Sequence, residues 1–321
     1  MKTIDQNHLL ELVETGLAEI KYPERTPGLV RPIAYTLEAG GKRLRPLFVL
    51  AACQAVCGDA ERALRQALAV EMFHNFTLIH DDVMDNADRR RGRLTVHRRW
   101  GAVQAILSGD ALLTMATQYV ADCDRSVLPE VLDLFNRTAM EVYEGQQLDT
   151  EFEKLDRVTV ARYIEMIRLK TSVLLGCACR MGALVGGADD VVQQAMYDFG
   201  MNLGVAFQLR DDWLDTFGDP AVFGKSIGGD IVNRKKTWLY ITACREAHDQ
   251  MARAYERGTT KGRLVGGVKK IYEQLDLSCR CDALISEYCE KALESLDRAC
   301  LDAESCDWFA DLAHKLSSRA K

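Results

Sequence analysis

The stretch from Leu64 to Asp85 reads LRQALAVEMFHNFTLIHDDVMD, and it decides the fold class. Its apolar residues, Leu64, Leu68, Val70 to Phe73, Phe76 and Leu78, recur at intervals of three and four, the spacing of a helix and not of a strand. The same period runs through Ala105 to Val120, Val127 to Val142, Val173 to Val185 and Val192 to Leu214. No stretch alternates with a period of two around an Asn-Gly type turn, so strands are not expected. Several of these runs are apolar around too much of their circumference for a surface helix, which suits a central bundle. The expectation is therefore an all-α chain of about ten or more helices. Without a low-complexity linker, residues 1–321 read as one domain. Gly258 to Lys270 reads as a surface loop and the polar tail from Ser317 as a frayed end.

Composition narrows the function classes. Lys and Arg number 41 against 47 Asp and Glu, a net charge of −6 that argues against a dedicated nucleic-acid binder. Four of the six prolines fall within the first 46 residues, so long helices are permitted almost everywhere after Pro46. No uninterrupted apolar run reaches the roughly 18 residues of a membrane span, so stable membrane insertion is not expected. The eleven cysteines include Cys177-x-Cys179 and Cys279-x-Cys281, but neither pair has the second pair or histidines of a zinc site. Met1 to Leu10 carries no apolar signal-peptide core, and reduced thiols in the cytoplasm are the expected state.

The quoted stretch ends in Asp81-Asp82-Val83-Met84-Asp85, and the pattern returns as Asp211-Asp212-Trp213-Leu214-Asp215 at the end of another apolar run. Positions four apart share a helix face, so Asp81 joins Asp85, and Asp211 joins Asp215. Carboxylates so crowded raise one another's pKa unless a divalent cation compensates them, and oxygen-only ligands suit a hard ion such as Mg²⁺. One such motif is readily a solvated helix end. Two, each closing an apolar run against the helix dipole, call for another reason to be there.

Basic clusters sit beside the acidic ones: Arg89-Arg90-Arg91-Gly92-Arg93, Gly40-Gly41-Lys42-Arg43-Leu44-Arg45, Gly224-Lys225 and Arg234-Lys235-Lys236. Metal-binding carboxylates alternating with Gly-flanked Arg and Lys are what a polyphosphate needs. Gly218 to Gly224-Lys225-Ser226 has five residues between its glycines where a P-loop has four, and no strand precedes it. The expected ligand is a diphosphate without a nucleotide, on a group that fits an apolar bundle.

These motifs, with Lys170-Thr171 between them, resemble the trans-isoprenyl diphosphate synthases from about Gly40 to Leu239 in order and spacing. The resemblance implies an isoprenoid synthase-type bundle around a central cavity, a homodimer, and head-to-tail (1'-4) condensation of isopentenyl diphosphate with an allylic diphosphate. It implies that Asp81, Asp85 and Asp211 are the main ligands of three Mg²⁺ ions, with Asp82, Asp212 and Asp215 acting through waters or neighbours. Arg90, Lys170, Lys225 and Lys235 match positions that grip the allylic diphosphate. Lys42, Arg45, His74 and Arg91 match the isopentenyl diphosphate site. Thr171 and Gln208 match residues whose oxygens face the allylic cation, Phe207 a ring near the incoming alkene, and Gln146 and Asp149 a polar surround.

A large Phe76 and a small Thr77, five and four residues before the first motif, resemble short-chain enzymes making C15 to C20 products. A class I terpene cyclase is the alternative, but its second metal motif typically runs Asn/Asp, Ser/Thr, Glu. A non-catalytic subunit of a heteromeric synthase is another, but it usually loses one acidic motif. A non-enzymatic acidic bundle leaves the paired basic clusters unexplained.

Overall fold

The computed structural model describes residues 3–22, 25–219, 227–256 and 259–318, and it is helical almost throughout. In chain order come α1 (Gln6–Ala18), α2 (Pro27–Leu37), α3 (Leu44–Cys57), α4 (Leu64–Met84), the short α5 (Val96–Trp100), α6 (Ala102–Val120), α7 (Leu128–Lys154), α8 (Val160–Ile167), α9 (Val173–Gly186) and α10 (Asp190–Phe217). Helices Trp238–Glu246, Lys261–Gln274, Leu277–Ala299 and Ala303–Ser317 form most of the rest. The chain divides into two compact units. The first holds Met1–Arg137, Cys177–Tyr197 and Ala299–Ser305, and the second Thr138–Gly176, Asp198–Arg298 and Cys306–Lys321.

In the first unit α4 packs chiefly on α6 and α3. Its sequence explains why: Ala67, Leu68, Ala69, Val70, Met72 and Phe73 are consecutive or nearly so, and all are at most 2% exposed, so the helix is covered on every side. Such a helix is held by packing more than by propensity. It stops where the acidic motif begins to face water, with Asp85 capping its end and Asn86 following at φ 52°. In the second unit the core gathers Phe152, Tyr163, Met166, Leu209, Leu239, Tyr272 and Ile285.

Three expectations need correction. Arg89–Arg90 and Arg93–Leu94 pair as a minimal antiparallel hairpin. Its turn is Arg91-Gly92, both at positive φ (50° and 76°), the geometry usually signalled by Asn-Gly. Most of Gly258 to Lys270 is not a loop but lies in helix Lys261–Gln274, because Val268, Ile271 and Tyr272 supply a buried stripe at helical spacing. Ser317 itself does not fray, being buried as the last residue of its helix with its carbonyl accepting from Arg210 Nε at 2.7 Å, while the tail after Ser318 lies outside the described residues. Val160–Gly186 is long and apolar enough to cross a membrane by composition, yet 78% of its most apolar window is buried, as befits a core helix.

Candidate functional site

The first unit collects cations around His74. Arg43 stands at φ 47° before α3, where it donates to Glu14 (2.8 Å), to the buried Glu71 (2.6 Å) and to the Leu37 carbonyl. That triple anchoring fixes the Gly40-Gly41-Lys42 turn and starts α3. Two residues on, Arg45 Nη1 lies 3.2 Å from His74 Nε2, and its Nε is buried without a hydrogen-bond partner among the described residues. A buried guanidinium with an orphaned donor is chemically suited to an anion. Burial, with the nearby Arg91, brings the Arg45 pKa down to about 10. His74 is held well below its ordinary 6.5 by burial and by the fields of Arg45, Arg91, Arg90 and Arg43. It is neutral at pH 7.

Arg91 reaches back to the Gly40 carbonyl and passes close over Gly41, whose φ of 140° favours glycine. Arg90 pairs with Asp82 at 2.8 Å, which leaves Asp82 occupied; burial raises the Asp82 pKa and Arg90 opposes the rise. The cavity beneath Arg90, Arg91 and Arg93 holds about 30 Å³, room for about one water. Lys42 and Asp85 are exposed and Asp81 half-buried. Phe76 is 6% exposed, its ring 5.6 Å from Phe73 and 4.7 Å from His80, while Thr77 turns its hydroxyl onto the His74 carbonyl.

The second unit contains a feature that no local pattern announces. Between α8 and α9 the chain winds a π-turn, Arg168–Ser172, which carries Lys170 and Thr171. Such a bulge needs room, and glycines supply it: a Cβ on Gly145 of α7 would come within 2.2 Å of the Lys170 nitrogen, and one on Gly204 of α10 within 2.5 Å of Ser172 Cα. Lys170 Nζ then donates to Asp149 at 2.6 Å. Thr171 Oγ1 donates to Gln208 Oε1 (3.1 Å), Gln208 Nε2 to Asp212 Oδ1 (2.9 Å), and the buried Tyr163 hydroxyl to Asp212 Oδ2 (2.6 Å). With its proton spent inside the chain of bonds, the Thr171 hydroxyl offers outward only lone pairs, as does the Gln208 carbonyl.

Burial raises the Asp212 pKa, and the half-buried Asp230 adds to it, against the pull of Lys235, Tyr163 and Gln208. Burial disfavours charge on Lys235, but the carboxylates of Asp212, Asp230, Asp149 and Asp211 overcome it and hold the lysine firmly protonated. Asp215 Oδ2 accepts from the Asp230 backbone nitrogen at 2.9 Å. Asp211 is exposed, and Phe207 and Gln146 are half-buried. Lys225 lies outside the described residues.

The donor set fits a hard divalent cation. Among the described residues no three His, Cys, Asp or Glu side chains form a ready-made cage. Mg²⁺ asks for less than a cage: one or two carboxylates, with waters and substrate phosphates completing the shell. Tyr163, Asp230 and Glu71 escaped the sequence reading, since an aromatic or acid at helical spacing reads as core or surface. The closeness of Gly145 and Gly204 to one turn is likewise invisible without the fold.

Residues 26–275 match the polyprenyl synthetase family model. The chain belongs to the polyprenyl synthetase family. Among curated members it is 40% identical over 233 residues to the geranylgeranyl diphosphate synthase of Methanosarcina mazei, covering 72% of both chains. It is 34% identical over 313 residues to the geranylgeranyl pyrophosphate synthase of Geoglobus acetivorans, 96% of both. A crystal structure of a geranylgeranyl pyrophosphate synthase superposes with a TM-score of 0.93 at 41% identity, covering 98% of this chain and 99% of that one. This polyprenyl synthetase is a short-chain trans-prenyltransferase that condenses isopentenyl diphosphate with allylic diphosphates, in a family that uses divalent metal ions.

Proposed function

We propose that the enzyme carries elongation to the C20 product, geranylgeranyl diphosphate, as a cytoplasmic homodimer of a single catalytic domain, residues 1–321. The observation that carries the chain length is Phe76, buried against Phe73 and His80 one helical turn before Asp81, with only the small Thr77 beside it. The two relatives above bear the same product in their names. The apolar face of α6, where Val103, Ile106 and Leu107 are 74%, 45% and 50% exposed, suits a second copy of this chain.

Asp81 and Asp85 of the first motif and Asp211 of the second would hold Mg²⁺, and Asp82, Asp212 and Asp215 act through their protein partners. Bound Mg²⁺ supplies Lewis-acid charge for departure of the allylic diphosphate. Lys170, Lys235, Arg90 and Lys225 grip that diphosphate, while Lys42, Arg45, His74 and Arg91 hold isopentenyl diphosphate. A bound diphosphate would compete with the bonds that Arg91 donates to the Gly40 carbonyl and Arg90 to Asp82. The outward lone pairs of Thr171 and Gln208 stabilise the allylic cation, which a hydroxyl donor would oppose.

The test is incubation with Mg²⁺, isopentenyl diphosphate and dimethylallyl, geranyl or farnesyl diphosphate. A C20 product is expected from each allylic partner; accumulation of C15, or passage beyond C20, overturns the chain length. Phe76→Ala should lengthen the product by at least one C5 unit, and an unchanged distribution would place the floor elsewhere. Sedimentation should give a dimer, dissociated by Ile106→Glu/Leu107→Glu.

A further inference from the structure

The second unit holds a cavity of about 1000 Å³ that neither acidic motif lines. Its wall runs from Asp156 to Val160 at the start of α8, through Arg234 and Lys236, and along helices Trp238–Glu246 and His248–Ala254. The volume is enough for a small organic ligand, and the cavity is open to solvent on one side.

Its lining has two characters. Val158, Val160, Ile241, Met251 and Ala252 make an apolar side. Arg157, Arg234, Lys236 and Arg245 make a cationic one, against a single lining carboxylate, Asp156. Among the described residues, Arg157, Arg234 and Lys236 form no ion pair, whereas Arg245 pairs with Glu246 at 2.7 Å.

Two of these cations are fixed in place. The Arg234 guanidinium lies 4.6 Å from the centre of the Tyr255 ring and donates to the Tyr255 carbonyl; Lys236 Nζ lies 5.1 Å from the Tyr240 ring and donates to the Arg234 carbonyl. The two rings meet edge to face at 6.0 Å. Burial lowers the Lys236 pKa, and Arg234 pushes the same way despite Cys244, Asp156 and Glu153. Like charges held so close are stabilised by an anion between them. The tyrosines already stack on protein cations, which disfavours them as a platform for a nucleobase, and His248 is the one other ring among the lining residues.

We propose that this cavity is a second ligand site, separate from the acidic motifs, that takes an amphipathic phosphate: the phosphate on Arg157, Arg234 and Lys236, the hydrocarbon along Val158, Val160, Ile241 and Met251. A free single-chain phosphate and an anionic phospholipid share this chemistry. The experiment separates them. Dodecyl phosphate, below its micelle concentration, is titrated calorimetrically into the full chain in Mg²⁺ and again in EDTA, and vesicles of phosphatidylglycerol or phosphatidylcholine are co-sedimented with it.

The expected result is one saturable equivalent of dodecyl phosphate in EDTA. It is weakened at least tenfold by Arg157→Gln/Lys236→Gln, weakened by the cavity-filling Ala252→Trp, and unchanged by Asp81→Ala. Co-sedimentation with phosphatidylglycerol alone, lost in the same variants, assigns the source to a membrane lipid; binding of dodecyl phosphate without co-sedimentation assigns it to a free phosphate. Circular dichroism and melting confirm that each variant is folded. No saturable binding of either probe, or binding that both variants leave intact, overturns the proposal.

Discussion

The two acidic motifs are the same five-residue pattern set in different surroundings. The first closes α4 at the surface: Asp85 caps the helix, and Asp82 answers one half-exposed arginine that lies on the hairpin just after it. The second lies within the last turns of α10, where Asp212 is locked by Tyr163 and Gln208 and shares its field with Lys235 and Asp230. Both middle carboxylates are buried, but identical spacing gives one a partly exposed arginine as its partner and the other a buried tyrosine and a glutamine. The two middle carboxylates thus differ in which protein groups they answer.

The largest effect should come where the motifs are alike. Asp81→Ala or Asp211→Ala removes charge-stabilising ligands worth several kcal/mol, so kcat should fall roughly 10³-fold in each. Helicity should stay unchanged, since Asp81 is half-buried and Asp211 exposed. Steady-state rates with matched circular dichroism spectra decide this; a tenfold loss in one motif only would make the comparison one of function as well as setting.

The next effect should come where they differ. Tyr163→Phe strips a buried charge-assisted hydrogen bond from Asp212 and should cost about 1.5 to 3 kcal/mol in denaturant unfolding. Arg90→Met, at a partner already about a third exposed, should cost about 1 kcal/mol or less. Equal losses would erase the distinction between the motifs. Gly145→Ala tests the support of the second motif's neighbours, because its methyl must push the π-turn backbone away. It should cost about 1 to 3 kcal/mol and lower kcat by displacing Lys170 and Thr171.

The smallest effect is a pH dependence confined to the first unit. His74 stays neutral when folded but takes a proton near pH 6.5 when unfolded, so the unfolded chain binds more protons and stability falls as pH drops through 6.5. Between pH 7.5 and 5.5 the wild type should lose about 1 kcal/mol more than His74→Asn. Identical pH slopes would show that the folded ring takes up its proton just as the unfolded one does, and would overturn this reading.

The helical period of Leu64 to Leu78 and the acidic motifs were legible because both are local: a helix repeats within a few residues, and a motif is its own signal. The hairpin was not, because Arg91-Gly92 adopts a turn that the Gly40 carbonyl and the space over Gly41 help to hold, 50 residues away. Helix Lys261–Gln274 was hidden by three glycines, Gly262, Gly266 and Gly267, whose cost to a helix is met by the buried stripe of Val268, Ile271 and Tyr272. The links from Tyr163 to Asp212 and from Lys170 to Asp149 span 49 and 21 residues, and nothing in either neighbourhood points to the other.

The π-turn at Arg168–Ser172 has one more consequence. A π-turn accommodates one residue more than an α-helical turn, and each residue is worth about 100° of rotation. Everything after Ser172 is therefore out of phase with everything before Arg168. A hydropathy average sees Val160–Gly186 as one apolar rod fit for a bilayer, but the rod has a step in it. Deleting a single residue there would straighten the helix and swing either Lys170 and Thr171 or the whole of α9 a quarter turn away, so this segment is constrained in length as strictly as in composition.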